Sequence, residues 1–232
     1  MKALILCSSP RRQGNSARLA DAVASGLAAG GHDTETVHLA DTIGGFIRDC
    51  RTCRRADGTC SIDDGYASLF LDRFLGADGI VVATPVYWYS MSAQLKAFFD
   101  RMSCYLFAAY PRAEEVKHHM QGKRIGLVLS SEEAYPTLSA GIIQPIQEYV
   151  RYTHATFVGV VHGQGNARGE VSRDPRNPIA QAEQFGRDFF TLRYTDYQID
   201  TPRLSRVWNG LSSPRESGER NGPVLQAWQG EG

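Results

Sequence analysis

The segment Ala3-Leu4-Ile5-Leu6-Cys7-Ser8-Ser9-Pro10-Arg11-Arg12-Gln13-Gly14-Asn15-Ser16-Ala17 decides the fold class of this chain of 232 residues. Its apolar start predicts a buried strand, and the apolar stripe over residues 20–28 predicts a helix that ends at Gly30-Gly31. The loop between them leads directly into the N-terminus of that helix. The N-terminus of a helix offers unpaired N–H groups and a partial positive charge, so it suits a phosphate.

The side chains of this loop strengthen the phosphate interpretation. Ser9 and Ser16 add hydroxyl donors and Asn15 adds an amide donor, while Gly14 lets the backbone approach a ligand closely. Arg11 and its neighbour Arg12 add positive charge. The loop lacks the Gly-Lys-Ser/Thr of a nucleotide triphosphatase and the Gly-x-Gly-x-x-Gly of a dinucleotide fold. The simpler alternative is an ordinary helix start with Ser or Asn as its N-cap.

The rest of the chain alternates short apolar runs with helical patterns. Five strands are predicted, over 3–7, 34–39, 79–84, 124–130 and 156–162. Five helices are predicted, with apolar stripes over 20–28, 91–102, 142–150 and 182–192 and one more over 63–75. This alternation predicts one parallel sheet with helices on both faces. Ligands of such sheets bind beyond the carboxyl ends of the strands, so function is expected in the loops after strands one, three and four.

Composition and charge exclude some classes of protein. The 25 basic and 25 acidic residues balance, which argues against a nucleic-acid binder and, more weakly, against a small electron shuttle with a field of one sign. No apolar run reaches the roughly 18–20 residues of a membrane span. We expect a cytoplasmic protein whose five cysteines are reduced.

Two separate blocks of sequence resemble one known family. The motif Ser9-Pro10-Arg11-x-x-Gly14-Asn15-Ser16 resembles the FMN phosphate loop of the NAD(P)H-dependent FMN reductases, which belong to the flavodoxin-like superfamily. The block over 83–101, with Pro85-Val86-Tyr87 and a Leu-Lys-x-Phe-x-Asp-Arg helix, resembles the second FMN loop of that family. The resemblance covers residues 1–195. It implies a flavodoxin-like three-layer α/β sandwich with strand order 2-1-3-4-5.

The resemblance also implies a set of site residues. The predicted cofactor-binding residues are Ser9, Arg11, Gly14, Asn15, Ser16, Pro85, Val86, Tyr87, Trp88, Ser90, Ser130 and Ser131. The predicted substrate-facing residues are Tyr89 and Glu132. The pair Glu132-Glu133 departs from the small residues that the family places after strand four, and a solvated helix start is the alternative. No catalytic side chain is predicted, because the hydride chemistry belongs to the cofactor.

A cysteine-containing connection resembles a branch of the family that includes iron–sulfur flavoproteins. Its spacing is Cys50-x2-Cys53-x6-Cys60, and Ala56 stands where that branch has another cluster ligand. A four-iron cluster is usually bound by four thiolates. Cys104 lies too far along the chain to be counted as a ligand on sequence grounds. We predict a metal-free loop whose thiols are inert or redox-active, with a bound metal or cluster as the alternative.

The expected function is an FMN-dependent oxidoreductase that takes hydride from NADH or NADPH and reduces a quinone, flavin, nitro or azo compound. The alternatives are a flavoenzyme dedicated to one biosynthetic step, a flavodoxin-type electron carrier and a scaffold that has lost FMN. Such enzymes are typically homodimers or dimers of dimers. A C-terminal extension over 196–232, with Trp208 and Trp228, is expected to pack on the body or on a partner subunit.

Overall fold

The computed structural model describes residues 1–107, 109–135 and 137–193. The predictions for the extension over 196–232 lie outside these residues. Five strands form one sheet in the order β2-β1-β3-β4-β5, and every neighbouring pair is parallel. The strands are β1 (Lys2–Cys7), β2 (Asp33–His38), β3 (Gly79–Pro85), β4 (Arg124–Ser131) and β5 (Thr156–Gln164).

The helices fill both faces of this sheet. They are α1 (Asn15–Ala29), α2 (Leu39–Thr42), α3 (Tyr66–Ser68), α4 (Ala93–Arg101), α5 (Ser103–Leu106), α6 (Ala113–Met120), α7 (Ala140–Tyr152) and α8 (Pro178–Asp188). A π-helical turn over Leu69–Phe74 continues α3, and a 3-10 turn over Glu170–Arg173 follows β5. Within these described residues no helix is long and apolar enough to cross a bilayer.

The core is divided between the two faces of the sheet. On one face, α1 and α8 cross so closely that a Cβ on Gly26 would lie 1.9 Å from the carbonyl oxygen of Glu183. A Cβ on Gly186 would likewise lie 2.2 Å from the carbonyl oxygen of Val23. On the other face, buried side chains of α4 and α7 pack with Tyr66 and the π-turn. The predicted three-layer sandwich and its strand order are therefore confirmed.

The helices differ from the prediction at one helix start and at α2, α5 and α6, which were not predicted. The helix expected over 63–75 begins only at Tyr66, because the Asp64 carboxylate accepts hydrogen bonds from Arg101 and from the backbone of Gly44 and Tyr66. Helix α6 was not predicted. It buries only Ala113, Val116 and Met120, too few apolar positions for a recognisable stripe.

The register of the sheet brings the predicted loops together. Cys7 at the end of β1 pairs with Ala83, and Pro85 at the end of β3 pairs with Ser130. Ser131 at the end of β4 pairs with Gln164. The carboxyl ends of four neighbouring strands therefore form one continuous edge.

Candidate active site

The loop after β1 is held by its own backbone and by Ser9. Backbone N–H of Ser8 donates to the Ala83 carbonyl oxygen at 2.8 Å, which ties the loop to β3. The Ser9 hydroxyl accepts from the N–H of Arg11 at 3.2 Å and donates to the Arg11 carbonyl oxygen at 3.0 Å. The same carbonyl accepts from Gly14 N–H at 2.9 Å. These bonds fold the chain tightly in front of α1.

The start of α1 has the properties of an anion site. Gly14 is its N-cap, and no side chain caps the helix. A Cβ on Gly14 would lie 2.8 Å from the Ser9 hydroxyl oxygen and 3.0 Å from the Arg11 carbonyl oxygen, so the hollow needs glycine. The Ser16 hydroxyl is buried and has no hydrogen-bond partner among the described residues. A buried polar group without a partner is costly, and a bound phosphate would satisfy it.

Two polar side chains of this loop are engaged elsewhere. The Asn15 amide donates to the carbonyl oxygens of Gly165 and Ala167, at 2.7 and 3.1 Å, and its oxygen accepts from Val171 N–H at 3.2 Å. Its side chain therefore fastens α1 to the loop after β5, which leaves its backbone N–H as the group that can face a ligand. Arg12 pairs with Asp41.

The loop after β3 is a tight turn built from aromatic residues. Tyr87 and Ser90 exchange two backbone hydrogen bonds, at 2.9 and 3.0 Å. Between them, Trp88 and Tyr89 have φ values of 49° and 59°. Two consecutive positive φ values suit Asn-Gly, and they are costly for bulky side chains. The turn holds Trp88 outward with 95% of its surface exposed.

A buried serine joins the two loops. Ser92 caps α4 through its hydroxyl oxygen, which accepts from Leu95 N–H at 3.4 Å. The same hydroxyl donates to the Ser8 carbonyl oxygen at 3.3 Å. The N–H of Ser92 donates to the Thr84 hydroxyl at 3.2 Å. These bonds fix the position of the loop after β1 relative to the aromatic turn after β3.

The aromatic turn borders a cleft of about 610 Å³, which lies within the range of about 300–1,000 Å³ typical of small-molecule sites. Its lining consists of Val86, Tyr87, Trp88, Tyr89, Glu132 and Glu133. The two substrate-facing residues of the sequence prediction, Tyr89 and Glu132, therefore lie in one cleft. Val86 N–H donates to the Ser130 carbonyl oxygen at 2.8 Å, which joins the turn to the end of β4.

Polar contacts from β5 and its loop hold the loop after β4. The Ser131 hydroxyl donates to the Glu133 carbonyl oxygen at 2.7 Å and lies 2.6 Å from Nε2 of His162. The Asn166 amide donates to Oε1 of Glu132 at 2.9 Å. Sequence reasoning did not identify His162 or Asn166. They are isolated polar residues some 30 positions from the residues they contact, and no local pattern marks them.

The four cysteines Cys50, Cys53, Cys60 and Cys104 form what we call the thiol pocket. Sequence spacing gave no ground to include Cys104, but the fold brings it to this loop, where Nη1 of Arg54 donates to the carbonyl oxygens of both Cys104 and Gly58, at 2.5 and 2.9 Å. Its Nε binds the Cys50 carbonyl oxygen at 2.5 Å. Burial, with the neighbouring Cys60 thiol, raises the pKa of Cys104 to about 12.

Two guanidinium groups border the thiol pocket. A second guanidinium, that of Arg101, lies 3.7 Å from Sγ of Cys60. No group of three or more His, Cys, Asp or Glu residues in the described part of the chain is arranged to hold a metal ion. Burial raises the pKa of both Cys50 and Cys104.

Comparison with known proteins agrees with this geometry. The sequence profile of the NADPH-dependent FMN reductase family matches residues 1–141. YwqN of Bacillus subtilis, provisionally named an NAD(P)H-dependent FMN-containing oxidoreductase, is 29% identical over 174 residues, which are 75% of this chain and 91% of that protein. An iron–sulfur flavoprotein of Archaeoglobus fulgidus is 35% identical over 106 residues, which are 45% of this chain and 47% of that protein.

A solved structure shares the fold. An NAD(P)H:quinone oxidoreductase from Methanothermobacter marburgensis matches with a TM-score of 0.61 at 16% identity, covering 84% of this chain and 98% of that one. The family profile spans more than half of the chain, including the loop at Ser9–Ser16 and the aromatic turn. The chain therefore belongs to the NADPH-dependent FMN reductase family and is an FMN-dependent oxidoreductase.

Proposed function

We propose that this protein holds FMN between the start of α1 and the turn at residues 85–90, and that it passes electrons from NAD(P)H to a small organic acceptor in the adjoining cleft. The observation that carries the proposal is the unsatisfied, buried Ser16 hydroxyl at an uncapped helix start, next to a hollow that only glycine leaves open. When bound, FMN supplies the group that accepts hydride and hands on electrons.

The chain's own residues bind and orient. The Ser16 hydroxyl and the N–H groups that begin α1 donate to the phosphate, the Ser9 hydroxyl shapes the loop through its bonds to Arg11, and the exposed Arg11 adds charge. The turn after β3 supplies backbone groups and flat apolar surface for the flavin ring, from Pro85, Val86, Tyr87, Trp88 and Ser90. Ser130 and Ser131 approach from β4, and Tyr89 and Glu132 face the acceptor.

The acceptor is a quinone, flavin, nitro or azo compound, and we assign no preference between NADH and NADPH. A flavoenzyme dedicated to one biosynthetic step remains the second candidate, because an open cleft is equally compatible with one specific substrate. The homodimer and the cytoplasmic location stay predictions.

The test is to purify the protein and release its cofactor. We expect a yellow preparation that yields one FMN per chain and oxidises NAD(P)H when a neutral quinone is added. Iron and sulfide should be absent in stoichiometric amounts. FMN without NAD(P)H oxidation would identify an electron carrier, and a colourless protein that takes up no FMN would defeat the proposal.

A further inference from the structure

The cleft beside the aromatic turn carries an unbalanced negative charge. Two of its six lining residues, Glu132 and Glu133, are exposed carboxylates, and the other four are Val86 and three aromatic residues. Among the described residues neither carboxylate forms an ion pair with a lysine or arginine. The partner of Glu132 is the uncharged amide of Asn166, at 2.9 Å.

Two chargeable groups of β5 and the loop after it, Arg176 and His162, do not compensate these carboxylates. Arg176 is committed to Asp174, with N–O distances of 3.0 and 2.7 Å. Burial and the charge of Arg176 lower the pKa of His162, so it adds little positive charge at neutral pH. A phosphate bound at α1 would add further negative charge.

The Glu132 carboxylate and the backbone of Glu133 are also held in place. The Asn166 amide fixes Glu132, and the backbone of Glu133 is fixed by the Ser131 hydroxyl, which itself contacts His162. The loop that carries Asn166 is anchored in turn, because the Asn15 side chain binds the backbone of Gly165 and Ala167. The charge of Glu132 therefore lies at a fixed place beside the aromatic surface, and the Glu133 carboxylate extends from a fixed backbone next to it.

From this arrangement we infer that the cleft selects its electron acceptor by charge: it favours planar aromatic acceptors that are neutral or cationic over anionic ones. The inference rests on the proposed function and specifies the substrate class of the same site. Aromatic side chains supply contact to a flat ring, and to a cation they add attraction by the ring quadrupole. A cleft lined by charge of one sign concentrates the field, and this raises the association rate of a ligand of opposite charge by about 10–1,000-fold.

The test compares three naphthoquinones of the same ring system on the FMN-loaded full-length protein at low salt. One carries a trimethylammonium group, one a sulfonate, and one is uncharged. We expect kcat/KM for the cationic quinone to exceed that for the anionic one by about tenfold or more, and added salt to shrink the ratio. In Glu132→Gln/Glu133→Gln the ratio should fall toward one.

A matched control separates the local field from net charge. Glu114→Gln/Glu148→Gln removes the same two charges from exposed positions on α6 and α7, away from the cleft. It should keep the wild-type ratio. The inference is overturned if the wild type prefers the anionic quinone, if its ratio is near one, or if both double variants change the ratio equally. Absence of turnover with all three quinones, the neutral one included, would instead defeat the proposed function.

Discussion

The hydroxyl oxygen of Ser131 in β4 lies 2.6 Å from Nε2 of His162 in β5, and it also donates to the Glu133 carbonyl oxygen. A hydroxyl has one proton to donate. Because that proton goes to Glu133, the network requires Nε2 of His162 to carry the proton that Ser131 accepts. The imidazole thus holds the loop that borders the cleft.

This contact predicts a pH dependence of stability. Burial, followed by the charge of Arg176, lowers the pKa of His162 below its ordinary 6.5. The unfolded chain then binds the proton more readily, so stability falls as the pH drops from about 6.5 toward the lower folded pKa. His162→Gln keeps a donor toward Ser131 and should show a smaller loss. Urea midpoints measured between about pH 5 and 7.5 check this, and equal losses in both proteins would contradict it.

Replacing Gly14 tests the hollow in front of α1. The backbone of Gly14 is extended, with φ −73° and ψ 167°, so alanine is tolerated by the backbone and the effect is steric. Its Cβ would lie 2.8 Å from the Ser9 hydroxyl oxygen. Overpacking of this kind costs about 1–3 kcal/mol, so Gly14→Ala should weaken FMN binding by about tenfold or more in a fluorescence titration. Gly44→Ala is the control, since its nearest atom lies at 3.4 Å, and it should bind FMN normally.

Ser16→Ala should have opposite effects on the apoprotein and on FMN binding. Removing a buried hydroxyl that has no partner should stabilise the apoprotein by about 1 kcal/mol, whereas losing a donor to a charged phosphate should weaken FMN binding by about tenfold. Urea unfolding of apoprotein and FMN titration measure the two effects. Ser25→Ala, exposed on the same helix, should change neither affinity nor stability appreciably. Equal affinity for FMN in Ser16→Ala would remove Ser16 from the site.

The aromatic turn predicts a conflict between stability and activity. Each non-glycine residue at positive φ costs about 1–3 kcal/mol, so Trp88→Asn/Tyr89→Gly, which suits the turn, should stabilise the protein by at least about 1 kcal/mol. It also removes two aromatic walls of the cleft, so kcat/KM for a neutral quinone should fall. Tyr152→Asn, which removes an exposed ring on α7, is the control and should leave kcat/KM unchanged. A variant that is more stable and fully active would show that the rings contact no acceptor.

The ion pair of Arg101 and Asp64 should be important for stability. Its side chains are 1% and 8% exposed, and Arg101 also lies 4.3 Å from the centre of the Tyr66 ring. Arg101→Met leaves the buried Asp64 carboxylate without its counter-charge. It should lower the free energy of unfolding in urea by about 3–5 kcal/mol. The exposed pair of Lys96 and Asp100 is the control, since breaking it should cost under about 1 kcal/mol. If Arg101→Met is as stable as the wild type, the ion pair does not stabilise the fold.

The sequence was sufficient for the parts of the fold that local pattern encodes. Buried parallel strands appear as short apolar runs, and all five observed strands lie within two residues of their predicted limits. Helix α6 was missed because its short buried face makes no stripe. The loop after β1 was likewise readable as a connection from a strand to a helix, since a strand, a glycine and a helix start are neighbours in the chain.

The sequence by itself determined the sheet, the loop at Ser9–Ser16 and the aromatic turn, because periodicity and turn chemistry act over a few residues. Only the tertiary structure showed that Asn15 serves the loop after β5, that Cys104 joins the thiol pocket, and that His162 and Asn166 hold the loop of Glu132 and Glu133. These contacts join residues about 30 to 150 positions apart. The parallel register of the sheet creates them by bringing separate strand ends to one edge, and no local pattern records which polar groups meet there.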